Sequence, residues 1–155
     1  MMGRLFMKRI SLMLVTLLCL GMFSMPAGAA NTETDVAELP QVVVTVGDHS
    51  YILTLYDTPP SRELLDSLPL TLSFSDYAGT EKIAYLPENL TIDDVQEPYE
   101  AQKGDLTVYT PWGNLAFFYH DFNYSASLYR LGHMEDIDAF AENGDSFTAT
   151  FEIQE

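Results

Sequence analysis

The sequence predicts a mainly β fold, a small closed barrel of about eight short strands with two short helices. Three observations lead there. Short runs rich in β-branched and aromatic residues recur along the chain, the clearest of them alternates strictly between apolar and polar residues, and turn residues separate the runs at close intervals. Closure into a barrel suits such a chain because it removes the exposed strand edges that a β protein must otherwise protect.

The first 30 residues read as a signal peptide. Arg4, Lys8 and Arg9 precede an apolar run from Ile10 to Phe23, which ends in Met25-Pro26-Ala27-Gly28-Ala29-Ala30. The run is shorter than the roughly 20 residues that span a bilayer, and the small residues after it suit cleavage near residue 30 rather than retention as an anchor. Leu17 and Leu18 stand where a lipid-attachment site needs small residues, so Cys19 reads as ordinary signal sequence. Residues 31–40 are acidic and without period, a flexible leader, and residues 41–155 form the domain.

Within the domain, Val42 to Val46 and Ser50 to Asp57 flank Gly47-Asp48-His49 and read as a hairpin. Thr58 to Leu68 reads as a helix: a capping residue, two prolines allowed in a first turn, then Leu64, Leu65 and Leu68 at helical spacing. Pro69 ends it. Leu70, Leu72 and Phe74 then alternate with Thr71, Ser73 and Ser75, the period of a half-buried strand. Asp76 to Thr80 is a turn and Glu81 to Leu86 a strand, followed by an acidic loop from Leu90 to Lys103. Leu106 to Thr110, Trp112 to His120 and Ser127 to Leu131 are further strands. Asp136 to Ala141 is a helical turn capped by Asp136, and Ser146 to Ile153 a closing strand. These strands are mostly shorter than the 9–11 residues of a membrane-spanning barrel.

Cleavage after residue 30 removes three of the seven basic residues and no acidic one, taking the formal charge from −16 to −19. Only Arg62, Lys82, Lys103 and Arg130 then remain positive, so nucleic acid is not an expected partner. The one cysteine leaves with the signal. Disulfides, thiol chemistry and iron–sulfur ligation go with it, and stability must come from apolar packing and sheet hydrogen bonds.

Leu68-Pro69-Leu70-Thr71, Gly79-Thr80-Glu81-Lys82, Tyr85-Leu86-Pro87 and Gly104-Asp105-Leu106, followed by Pro111-Trp112-Gly113-Asn114-Leu115-Ala116-Phe117-Phe118-Tyr119, resemble the bacterial cyclophilin-like family. These are small β-barrel domains related in shape to prolyl isomerases. The resemblance continues through Leu131-Gly132-His133-Met134-Glu135-Asp136 and covers most of the domain. It implies the barrel but no particular chemistry, since most members have no assigned activity. A true cyclophilin isomerase carries an arginine in a Phe-His-Arg strand beside a Gln-Gly-Gly strand, and neither run occurs here. Weakening amide resonance at a prolyl nitrogen, against a barrier of about 18–20 kcal/mol, needs a placed donor. Arg62 and Arg130 are the guanidinium candidates: Arg62 on a helix facing water, Arg130 in a strand between Tyr129 and Leu131.

In the aromatic strand, Leu115, Phe117 and Tyr119 fall on one face and Ala116, Phe118 and His120 on the other. One face must be core. The other is either covered by a helix or the acidic loop, or open to a ligand. Trp112, after Pro111, is expected to plug a barrel end. His49, His120 and His133 lack metal-ligand spacing, Asp93, Asp94, Glu97 and Glu100 lack the glycine turn of a calcium loop, and no G-x-S-x-G is present. No metal or cofactor is therefore expected. If a ligand site exists, it is placed at one barrel end, lined by Tyr77, Glu81, Trp112, Tyr119 and Arg130, the aromatic and charged residues in or beside the family-like strands. The expected protein is an exported, monomeric barrel that binds a small ligand, a peptide or an envelope partner without chemistry. A weak peptidyl-prolyl isomerase is the second reading.

Overall fold

The computed structural model describes residues 39–93 and 97–155. The signal peptide, most of the leader and residues 94–96 of the acidic loop lie outside the described residues. The elements in order are β1 (Val42–Val46), β2 (His49–Leu55), α1 (Pro59–Asp66), β3 (Leu70–Tyr77), β4 (Glu81–Tyr85), β5 (Tyr99–Glu100), β6 (Asp105–Tyr109), β7 (Asn114–Phe118), β8 (Tyr124–Ser125), β9 (Leu128–Met134), α2 (Ile137–Ala141) and β10 (Ser146–Ile153). Eight strands form a closed barrel in the order β1-β10-β3-β4-β7-β6-β9-β2, all neighbours antiparallel, with β2 pairing β1 to complete the circle. The remaining two, β5 and β8, pair with each other outside it.

This is the barrel the sequence predicts, with local differences: β9 runs on from the expected end at Leu131 to Met134, and β7 ends at Phe118 rather than His120. Residues 90–103 are not all loop, because Tyr99 and Glu100 pair with Ser125 and Tyr124; two-residue strands carry no readable period. The strand expected from Trp112 starts at Asn114, since residues 110–113 form the turn from β6. Asp136 precedes α2 but makes no side-chain cap; instead Asn143 donates to the carbonyls of Ala139 and Phe140. In contrast, Thr58 does cap α1, its hydroxyl accepting from the Ser61 amide at 3.3 Å. Ser61 in turn donates to the Leu131 carbonyl at 2.9 Å, tying the helix to β9.

Alternation sorts each strand into an inner and an outer row. The inner rows supply Val42, Val44, Leu53, Leu72, Phe74, Leu106, Val108, Leu115, Phe117, Tyr129, Ala149 and Phe151, to which α1 adds Leu64 and Leu65 and α2 adds Ile137 and Phe140. Phe140 stands edge-on to Phe74 and tilted against Phe117, with ring centroids 5.5 and 5.0 Å apart. A second, smaller cluster lies on the outer face: Ile83, Ala116, Phe118 and Leu128, with Ala101 and the partly buried Tyr99 and Tyr109. The aromatic strand β7 is thus buried on both sides.

Barrel closure runs through a close approach at Gly132, which pairs with Leu55 of β2 and Leu106 of β6. A Cβ there would stand 2.4 Å from the Thr54 carbonyl oxygen, on backbone that has no room to yield. Gly132→Ala is therefore expected to destabilise the domain by about 1–3 kcal/mol, the range for overpacking a closed site. Urea unfolding measures it, and a loss below about 0.5 kcal/mol would mean that β2 and β9 separate freely.

Candidate functional site

The outer row gives the site its walls. Tyr77 at the end of β3 pairs with Glu81 at the start of β4, and Glu81 with Phe118 of β7. One step along, Ile83 pairs with Ala116, and at the far side Asn114 lies between Tyr85 and Tyr109, with Leu128 beyond. These parities point Glu81, Ile83, Asn114, Phe118, Tyr109 and Leu128 to the same side. Over them stand the β6–β7 turn, carrying Trp112, and the segment after β7, carrying Phe122 and Ser125. Together they enclose a recess of about 200 Å³ on the barrel wall.

Trp112 is held over the recess by its turn. Its amide and that of Gly113 both donate to the Tyr109 carbonyl, at 3.1 and 2.9 Å. Gly113 takes φ +69°, a conformation that side chains disfavour, and a Cβ there would meet the Asn89 amide at 2.7 Å. The indole meets Tyr77 and Tyr109 edge-on, with centroids 5.7 and 5.1 Å away, and stays 47% exposed. It is a wall of the recess on the outside of the barrel, not a plug at its end. Phe122 packs against Phe118 at 5.3 Å.

Three polar side chains interrupt this aromatic lining: Ser125, whose hydroxyl accepts from the Ser127 amide at 3.2 Å, Glu81 and Asn114. Glu81 is partly buried, and among the described residues its carboxyl has no hydrogen-bond or ion-pair partner; burial pushes it up to about 7. Asn114 is 1% exposed; its Nδ2 donates to the Leu115 carbonyl at 3.0 Å, but its Oδ1 is buried without a partner among the described residues. A buried acceptor left unpaired is unfavourable by about 1–3 kcal/mol.

Of the five residues selected from sequence, Tyr77, Glu81 and Trp112 line this recess, and Tyr119 and Arg130 do not. Tyr119 donates to Asp76 Oδ1 at 2.6 Å, and Lys82, only 4% exposed, donates to the same oxygen and to the Gly144 carbonyl, both at 2.9 Å. The Tyr119 hydroxyl first, and then the Lys82 ammonium, hold the Asp76 carboxyl below its ordinary range. Arg130 faces outward further round the barrel. It donates to Asp105 Oδ1 at 3.0 Å and to the Tyr56 hydroxyl at 2.8 Å, with its guanidinium 4.6 Å from the centre of the Tyr56 ring. Asp105, 1% exposed, also accepts from the Gln102 amide at 3.0 Å and lies 3.2 Å from His133 Nδ1. Both ion pairs hold the barrel and its flanking segments in place.

Sequence reasoning missed Ile83, Tyr109, Asn114, Phe118, Phe122, Ser125 and Leu128 as lining residues. Parity within the strand places Ala116 and Phe118 on one face, but only the register across strands sets Phe118 beside Glu81 and Asn114 beside Tyr109. Among the described residues no group of three or more His, Cys, Asp or Glu side chains gathers as a metal site, and no helix is long and apolar enough to cross a membrane.

A closed eight-stranded antiparallel barrel with two short helices packed on its core and a lined recess on its wall is the class of molecule these features define. The chain belongs to the cyclophilin-like family, whose model matches residues 44–152. In fold it is similar to the solution structure of a hypothetical protein from Archaeoglobus fulgidus, with a TM-score of 0.61 at 12% sequence identity, over 77% of this chain and 99% of that one. No curated protein matches its sequence.

Two outcomes follow from this geometry. Trp112→Ala is expected to lower stability by less than about 2 kcal/mol, whereas Phe117→Ala, in the inner core, costs about 3–5 kcal/mol; equal losses in urea unfolding would make the tryptophan scaffold. Glu81 is an acid whose folded pKa lies above its unfolded one. The folded state therefore holds the proton more tightly, and stability falls as pH rises from about 4.5 through about 7. Glu81→Gln removes that loss. Its gain over wild type in urea midpoint should be larger at pH 8 than at pH 5, and a gain independent of pH would contradict the burial of the carboxyl.

Proposed function

We propose that this chain is an exported, monomeric binding module and that its ligand occupies the recess on the barrel wall. One observation carries the reading: an aromatic recess that holds a partly buried Glu81 carboxyl with no hydrogen-bond or ion-pair partner among the described residues. Binding sites combine mostly apolar walls with a few polar groups that orient the ligand, and this one has that composition. Its small volume suits a small molecule or a single side chain of a peptide. Closure of the barrel supports the monomer, because no barrel strand keeps a free edge for a second chain. Export rests on the N-terminal segment, and the mass of the secreted form, beginning near Ala30 or Asn31, tests it.

Isomerase chemistry is the less favoured reading. Arg130 spends its guanidinium on Asp105 and Tyr56, Arg62 is paired with Asp57 at 2.6 Å, and neither lines the recess. A screen of small fragments and short peptides by amide and indole NMR shifts is expected to perturb Tyr77, Glu81, Trp112 and Phe118 together. A screen in which no compound moves those signals would end the binding-site reading. A protease-coupled proline-peptide assay should meanwhile show no acceleration; catalysis lost in a folded Arg130→Ala variant would replace the binding module with an isomerase.

A further inference from the structure

The geometry points to an organic ammonium group as what the recess binds, its charge against Glu81 and its N–H or N–CH edges against the aromatic rings. This rests on the binding-site reading above and names the ligand chemistry. The first ground is the charge pattern of the lining. Glu81 is the one charged side chain in it, and no basic group stands there to receive an anion. The second is that the protein supplies no counter-charge of its own. Among the described residues Arg62 is held by Asp57, Lys82 by Asp76, Lys103 by Asp138 and Arg130 by Asp105, so none is directed to Glu81.

The third ground is the wall. Tyr77, Tyr109, Trp112, Phe118 and Phe122 line the same recess as the carboxyl, and such rings attract a cation by their quadrupoles, most strongly where water is excluded. Size limits the ligand further: about 200 Å³ takes a compact head of a few carbons around nitrogen, not a large ring system. A chain of net charge −16 also draws cations towards itself.

An ammonium group can come from a free amine or from a lysine side chain of a peptide, and the probes separate these. Choline chloride serves as the free cation, 3,3-dimethylbutan-1-ol as its neutral isostere, and Nα-acetyl-lysine methylamide as the peptide form, each titrated into the protein lacking residues 1–30 as secreted. Trp112 is the only tryptophan, so its fluorescence reads the site directly, with NMR shifts as the second signal. Choline or the lysine amide should bind at least about tenfold more tightly than the alcohol, the stronger of the two identifying the source.

Binding should also weaken by up to about tenfold from pH 8 to pH 6, because a cation must displace the proton that Glu81 takes up in this range. The other titratable groups around the recess are the phenols of Tyr77 on β3 and Tyr109 on β6; β7, β9 and the segment after β7 present Asn114, Phe118, Leu128, Phe122 and Ser125. Glu81→Gln should abolish both the preference for the cation over the alcohol and its pH dependence. If the alcohol binds as well as choline, the ammonium inference falls and the binding site stands. If fragments from the screen move Tyr77, Trp112 and Phe118 but neither ammonium probe does, the inference likewise falls alone. If nothing binds there, both fall. Unchanged choline affinity in a folded Glu81→Gln variant overturns the assignment of the charge.

Discussion

Strand β7 meets apolar surroundings on both faces, and most of the architecture follows from that. Its inner residues, Leu115 and Phe117, complete a core of stacked and edge-on rings from Phe74, Phe140 and Phe151. Its outer residues, Ala116 and Phe118, are equally dry, and a barrel wall has nothing beyond it except what the chain lays there. The chain therefore has to cover its own wall. Residues around Tyr99 to Ala101 and from Phe122 to Ser125 do so, joined by the short β5–β8 pairing. The recess is the part of that wall where the cover is incomplete.

Hydrogen bonds and charges hold the cover in position. The Gly104 amide donates to the Phe118 carbonyl, the Phe122 amide to that of Ala101, and the Lys103 amide to Asp121, so the two covering segments are stitched to β7 and to each other. The buried Asp105 carboxylate anchors the same corner by collecting the Gln102 amide and the Arg130 guanidinium. A buried carboxylate of this kind is tolerable only because it is fully partnered. In a chain with so few basic residues, using Lys82 and Arg130 in such structural pairs leaves the Glu81 carboxyl without a cation of its own. The electrostatics that stabilise the fold thus shape the site by omission.

Much of this was legible along the chain and some was not. Leu70 to Ser75 announced a half-buried strand by strict alternation, and Thr58 with two prolines announced the start of α1; both signals are local, set by side chains within a few residues. The short β5 and β8 strands were not legible, because two residues have no period. Nor was the expected cap at Asp136, where a competent residue stands at the right place but the chain turns without using it.

What the sequence by itself determined is the alternation of each strand, the family-like segments, and the scarcity of positive charge, since these depend only on residue identity and spacing. Tertiary structure alone decided which outward residues meet. Tyr77, Glu81 and Trp112 share one recess, while Tyr119 turns to Asp76 and Arg130 to Asp105, although all five looked alike in composition and context. The reason is register: parity along a strand places a side chain on a face, but only the pairing of β4 with β7 and of β7 with β6 brings residues more than thirty positions apart, such as Glu81 and Phe118, side by side.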